Sequence, residues 1–210
     1  MTETTTPAAV PDDAAPAPEP GRRCFGDGDP LYEAYHDTEW GIPVHGEAPL
    51  LERIALEGFQ SGLAWITVLR KRDAFREVFE GFEPERVAAF GEGDVARLMG
   101  DARIIRNRMK IEATISNARA VLALHADGRT LDELVWSFAP DPRPGGNPST
   151  WEQVPATSPE SVAMAKTLKK LGFRFFGPTT AYAAMQACGL VDDHLSTCPV
   201  TLGRSSSNLA

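Results

Sequence analysis

Apolar residues recur at three- and four-residue spacing across most of this chain, and no stretch alternates as a half-buried strand would. That periodicity confines the fold to packed helices. Leu50, Leu51, Ile54, Leu56 and Phe59 form a broad helical face, with Pro49 suited to the first turn. Leu63 to Phe79 continues the pattern through Trp65, Val68, Leu69, Phe75 and Phe79. Pro84 followed by Val87, Ala88 and Phe90 predicts a short helix, and Asp94 to Met99 another. Ile104 to Leu124 predicts a long helix carrying Ile111, Ile115, Ala118 and Leu122, and Leu131 to Phe138 a further short one. Residues 139–158, rich in Pro, Gly, Asn, Ser and Thr, read as a long surface loop. Ser158-Pro159 then starts a helix through Leu168, and Gly177-Pro178 another through Cys188, closed by Gly189. The fold class is all-α, without internal repeats.

A length of 210 residues fits one domain. Residues 1–20 stand apart: they hold five of the 17 prolines, four acids and no Lys or Arg. Such a leader buries too little apolar surface to offset its ordering entropy and is expected to be disordered. The folded domain is expected over 21–199, with a flexible tail over 200–210. Three cysteines exclude a dense disulfide framework and leave reduced thiols or a metal site. No secretory signal and no membrane-length apolar run is visible, so a soluble, cytoplasmic chain is expected, with a monomer the default for this size.

The formal charge of −8 argues against a histone-like DNA binder. Without the leader, 21 cations face 25 acids, and the cations cluster. Arg70-Lys71-Arg72 is one group; Arg103, Arg106, Arg108 and Lys110 form a second; Lys166, Lys169, Lys170 and Arg174 form a third, without an intervening acid. Clustering of this kind suits a dipolar surface with one face for a DNA backbone, or, more plainly, solvated helix faces. The third group adjoins a turn bracketed by Gly172 and Gly177, after which Pro178, Thr179 and Thr180 open a helix whose free N–H groups suit a phosphate. Glu57, between Leu56 and Gly58 inside an apolar helix, needs hydrogen bonds or a cation, and a structural ion pair would serve as well as a ligand. Tyr35, Trp40 and Trp65 offer aromatic faces with polar tips, which as isolated residues belong more often to a core.

Several blocks together carry a resemblance. They are Arg23-Cys24, DPLYEAYHDTEWG from Asp29, LEGFQSGLAWITVL from Leu56, RNRMKI from Arg106 and MQACGLVDDHLSTC from Met185, with the helix–turn–helix between the last two. The chain resembles the helix–hairpin–helix DNA glycosylases over about residues 22–199, and among them the family of 3-methyladenine DNA glycosylase I. The resemblance implies a monofunctional enzyme that flips 3-methyladenine out of alkylated double-stranded DNA and hydrolyses its N-glycosidic bond. It implies one structural zinc ion on Cys24, His36, His194 and Cys198, a closed tetrahedral set joining the two ends of the domain. It implies that Glu57 and Tyr35 hydrogen-bond the methylated base while Trp65 stacks on it, Trp40 and Phe25 completing the pocket. Phe25 stands where the family often has Trp, and the Cys24 to Asp29 stretch is one residue shorter than usual. Leu63 is a candidate to fill the space left by the flipped base, with core packing the alternative, and Gly62 beside it would contact the DNA.

Lys170, Arg174, Gly177, Thr179 and Thr180 would contact the DNA backbone. Arg174 in the hairpin, where a lyase would need Lys, disfavours lyase chemistry. Asp192 occupies a position where 3-methyladenine enzymes often carry Asn and other glycosylases a catalytic Asp. It either stabilises the developing sugar cation or caps the turn that carries His194. A noncatalytic DNA-binding module with a structural zinc is the alternative to the enzyme.

Overall fold

The computed structural model describes residues 21–142 and 146–207, so the leader expected over 1–20 lies outside the described residues. Those residues form eleven α-helices and no strand. The centre of the molecule is α2, Glu47–Gln60, whose residues Leu50 to Phe59 are all buried. A helix buried all round, Glu52, Arg53 and Glu57 included, must be covered on every side. Here α7 (Arg108–Ala126), α10 (Pro178–Ala187), α8 (Leu131–Trp136) and α3 (Trp65–Leu69) supply that cover. The core is filled by Phe59, Phe75, Phe79 and Phe82 with Leu50, Leu51, Leu56, Leu98, Ile111 and Leu124.

Local sequence sets the helix ends. Asp29 caps α1, Pro30–Thr38, by accepting from the Leu31 and Tyr32 N–H groups, with Pro30 in the first turn. The stretch expected as one run from Leu63 to Phe79 divides into α3 and α4, Arg72–Val78, with Arg70 and Lys71 at the break. The long helix begins at Arg108 rather than Ile104, because extended Asn107 caps it by accepting from the Lys110 N–H. The short α5 (Pro84–Ala88) and α6 (Glu92–Gly100) lie where expected, α5 against α7. Ser158 caps α9, Pro159–Lys170, which pairs with α10 across the turn 171–177. The sequence did not foresee α1, nor α11, Pro199–Ser207, which is helical where a flexible tail was expected.

Two close backbone approaches lock the C-terminal end of α10 to the segment after α1. Gly41 N–H donates to the Gln186 carbonyl and Val44 N–H to the Cys188 carbonyl. At Gly189, with φ +73°, a Cβ would meet the Ile42 carbonyl carbon at 2.4 Å and Pro43 N at 2.5 Å. Only glycine fits there.

Candidate active site and metal centre

Glu57 and Arg53 stand one turn apart on α2 and therefore share a face. Both are buried, Glu57 at 5% exposure and Arg53 at 7%. Among the described residues, no protein group donates a hydrogen bond to the Glu57 carboxylate. Burial pushes its carboxyl up to about 8, and the charge of Arg53 pulls it only part of the way back. Arg53 is itself tethered: its Nη2 donates to Glu39 Oε2 at 2.9 Å, and Arg72 grips the same carboxylate with two bonds. Against the opposing push of burial, Arg72 and Arg53 hold Glu39 down to about 2. Arg53 Nη1 is buried without a hydrogen-bond partner among the described residues, and the guanidinium lies 6.0 Å from the centre of the Tyr35 ring.

Aromatic side chains from three segments wall this face. Tyr35 and Trp65 meet at 5.4 Å between ring centres, and Phe25 lies 5.0 Å from Tyr32 and 6.4 Å from Tyr35. The Tyr35 phenol is pushed well above its ordinary range, by burial first and by Glu57 second. Trp65 Nε1 is buried without a hydrogen-bond partner among the described residues. An unmet indole N–H, an unmet guanidinium N–H and a carboxylate without donors, all around one aromatic group, are the polar signature of a ligand site. Trp40 is placed differently: its ring packs on Phe25, on Trp151 and edge-on to His194 at 4.6 Å, between the aromatic wall and the Cys/His group. Tyr32, Arg53 and Trp151 were missed in the sequence. Tyr32 precedes Tyr35 by three and Arg53 precedes Glu57 by four, so helical spacing could have found both.

Cys24, His36 and Cys198 bring their ligand atoms within 4.8 Å of one another. The Cys198 thiol is drawn down by its hydrogen bonds with Cys24 and His36, while the thiol of Cys24 is pushed up, by the bond to Cys198 first and by burial second. Leu195 N–H donates to Cys24 Sγ at 3.1 Å, and His36 Nδ1 pairs with Asp37 at 2.8 Å. Soft donors with a carboxylate behind the imidazole are the chemistry zinc selects. Of the four expected ligands the structure gathers three. His194 is fully buried beside them, its ring 4.8 Å from that of His36, but its Nε2 lies 3.2 Å from the His36 carbonyl. Its Nδ1 pairs with Asp192 Oδ1 at 2.6 Å, and the same oxygen accepts from the His194 N–H. No helix starts at Asp192, so the capping alternative takes the form of an Asx turn that orients His194.

The three cationic clusters separate. Arg70 pairs with Asp29, Arg72 with Glu39, Arg103 with Asp101 and Glu77, and Arg108 with Glu92 and Glu112. Lys110 is buried and binds two carbonyls. Four cations of the first two clusters are thus paired with acids, Lys71 also binds carbonyls, and Arg106 is exposed without an ion pair among the described residues. Lys166, Lys169, Lys170 and Arg174 are exposed and form no ion pair among the described residues. Beside them Gly177 caps α10 without a side-chain bond, and Thr179 and Thr180 are half-buried in its first turn. Gly62 is exposed at φ +84° with nothing within 4 Å of a Cβ, and Leu63 beside it is half-buried.

The all-helical body has solved counterparts. A crystal structure of 3-methyladenine DNA glycosylase I superposes with a TM-score of 0.80 at 49% identity, covering 85% of this chain and 98% of that one. A variant of 3-methyladenine DNA glycosylase I in complex with 3-methyladenine superposes with a TM-score of 0.78 at 34% identity, covering 84% and 95%. Fold and sequence identity therefore define the class of DNA glycosylases. The DNA-3-methyladenine glycosylase 1 of Escherichia coli strain K12 is 49% identical over 170 residues, 81% of this chain and 91% of its own. Residues 25–201 match the methyladenine glycosylase family, and the chain belongs to that family.

Proposed function

We propose that this chain releases 3-methyladenine from alkylated double-stranded DNA by hydrolysing the N-glycosidic bond, without lyase activity. The observation that carries this reading is Glu57, a buried carboxylate with no donor among the described residues, facing aromatic rings. Adenine methylated at N3 in DNA carries a delocalised positive charge that normal adenine lacks. Stacked on Trp65 and hydrogen-bonded by Tyr35, that cation supplies the charge and N–H groups Glu57 is missing and draws it to the ionised form. A neutral base offers no such exchange. Phe25 continues the wall beside Tyr32 and Tyr35, and Trp40 backs it.

The cationic base is already a good leaving group, so little acid assistance is needed. The rate must then come from stabilising charge that develops on the sugar. Asp192 is the expected carboxylate for that role, but its Oδ1 is engaged with His194, which favours positioning over catalysis. Cys24, His36 and Cys198, with His194 as fourth ligand, would hold one zinc ion, supplying cross-linking of the two ends and no chemistry at the base. The exposed cations of the α9–α10 turn would hold phosphates, and Leu63 would enter the stack. Chromatography of bases freed from alkylated duplex DNA tests the reading. Free 3-methyladenine is the expected product; DNA binding without any free base would leave a noncatalytic binding module.

A further inference from the structure

Lys110 is a buried cation with no carboxylate partner among the described residues. Its Nζ donates to the Phe59 carbonyl at 2.9 Å and to the Ser61 carbonyl at 2.8 Å. These carbonyls end α2, where the helix leaves its last acceptors unmet and its dipole is negative. Directly after them comes the tip of exposed Gly62 and half-buried Leu63, whose backbone is tied among the described residues by the Leu63 N–H to the Gln60 carbonyl. The ammonium therefore fixes the base of that tip.

Seven residues further along α7, on the same face, Asn117 grips the other DNA-facing element. Its Oδ1 accepts from the Arg174 N–H at 2.8 Å and its Nδ2 donates to the Arg174 carbonyl at 3.3 Å, while Ser116 Oγ donates to the Gly172 carbonyl. Two helical turns place these anchors about 10.5 Å apart along the axis. Between them Lys110, Thr114 and Asn117 line a small cleft with Gly58, Arg174 and Phe175.

We propose that α7 is a rigid gauge, with Lys110 and Asn117 as positioning residues that set the distance between the tip entering the duplex and the turn gripping its backbone. This rests on the reading of Leu63 as the inserting residue and of 171–177 as the backbone-binding turn. A cation is needed at the tip because two carbonyls converge there with no N–H to meet them, and a rigid spacing is needed because insertion must coincide with phosphate contact.

The test uses the full chain and a duplex carrying 2-aminopurine beside a tetrahydrofuran abasic site. Fluorescence reports unstacking by the inserted residue, and anisotropy reports binding in the same samples. Lys110→Met is expected to bind the duplex at saturation yet lose most of the fluorescence rise, and Lys110→Arg to recover it. Asn117→Ala, which frees the turn instead of the tip, is expected to show the same loss. Unchanged fluorescence in Lys110→Met overturns the proposal, as does a loss that merely accompanies a collapsed melting temperature and weakened binding. A wild type without any rise also overturns it. A wild type that shows the rise but frees no base from alkylated DNA leaves the gauge standing and removes only the catalytic reading.

Discussion

Glu57 illustrates how one residue trades stability for recognition. Its carboxyl, ordinarily near 4.5, is pushed to about 8 in the fold, so between those values the folded state holds a proton the unfolded chain has lost. Stability therefore falls as pH rises from about 4.5 through 8, by about 5 kcal/mol at full deprotonation. Glu57→Gln removes this dependence. It is expected to raise the melting temperature at pH 8 to 9, where each 1 kcal/mol is about 2–4 °C for a chain of this size, and to leave it nearly unchanged at pH 5. Paired thermal melts check this; a variant no more stable than wild type at pH 9 would contradict it. Asp192→Asn keeps an oxygen for the His194 N–H, so single-turnover release is expected to stay close to wild type. A loss of about a hundredfold would instead assign Asp192 to charge stabilisation. Glu57 was legible because a lone carboxylate in an apolar helix must answer for its burial. The commitment of Asp192 to His194 was not, because an Asx turn and a catalytic acid look alike in sequence.

At the scale of elements, helix identity was legible wherever apolar spacing met a helix-starting Pro, as for α5, α9 and α10, and from spacing alone for α6. Short α1 has only Tyr35 and His36 buried, so periodicity could not announce it, although Asp29-Pro30 marks its start. The break at Arg70 and Lys71 was hidden because apolar spacing runs straight through it. Glycines at the joints divide into two kinds. Gly189→Ala would drive a Cβ into the Ile42–Pro43 backbone and is expected to cost about 3–5 kcal/mol, measured by denaturant unfolding. Gly62→Ala meets open space and only a backbone penalty, so about 1 kcal/mol is expected. Equal costs for the two would contradict the close packing at Gly189. The turn 171–177 is unusual in placing a bulky residue, Phe175, at φ +54°, where sequence gave no warning.

For the whole molecule, charge counting alone misled about where cations are available. Arg103 and Arg108 look like Lys169 and Lys170 in the sequence, yet folding brings Glu77 and Glu92 to the first pair and no acid to the second. The four exposed cations at the α9–α10 turn are expected to contribute about −4 to the log–log salt slope of nonspecific DNA binding. Lys169→Ala with Lys170→Ala is expected to reduce it by about 2, whereas Arg103→Ala should leave it unchanged. The joining of the two ends through Cys24, His36 and Cys198 was accessible only through the family resemblance, since no spacing links residues so far apart.

The most direct measurement is single-turnover release of 3-methyladenine from alkylated duplex DNA by the wild type and Glu57→Gln, with DNA affinity determined on the same preparations. The expected result is release by the wild type, with the variant binding undamaged DNA equally well but releasing the base about a hundredfold more slowly. Equal rates in the two proteins, or a wild type that binds DNA and frees no base, would contradict the role given to the buried carboxylate.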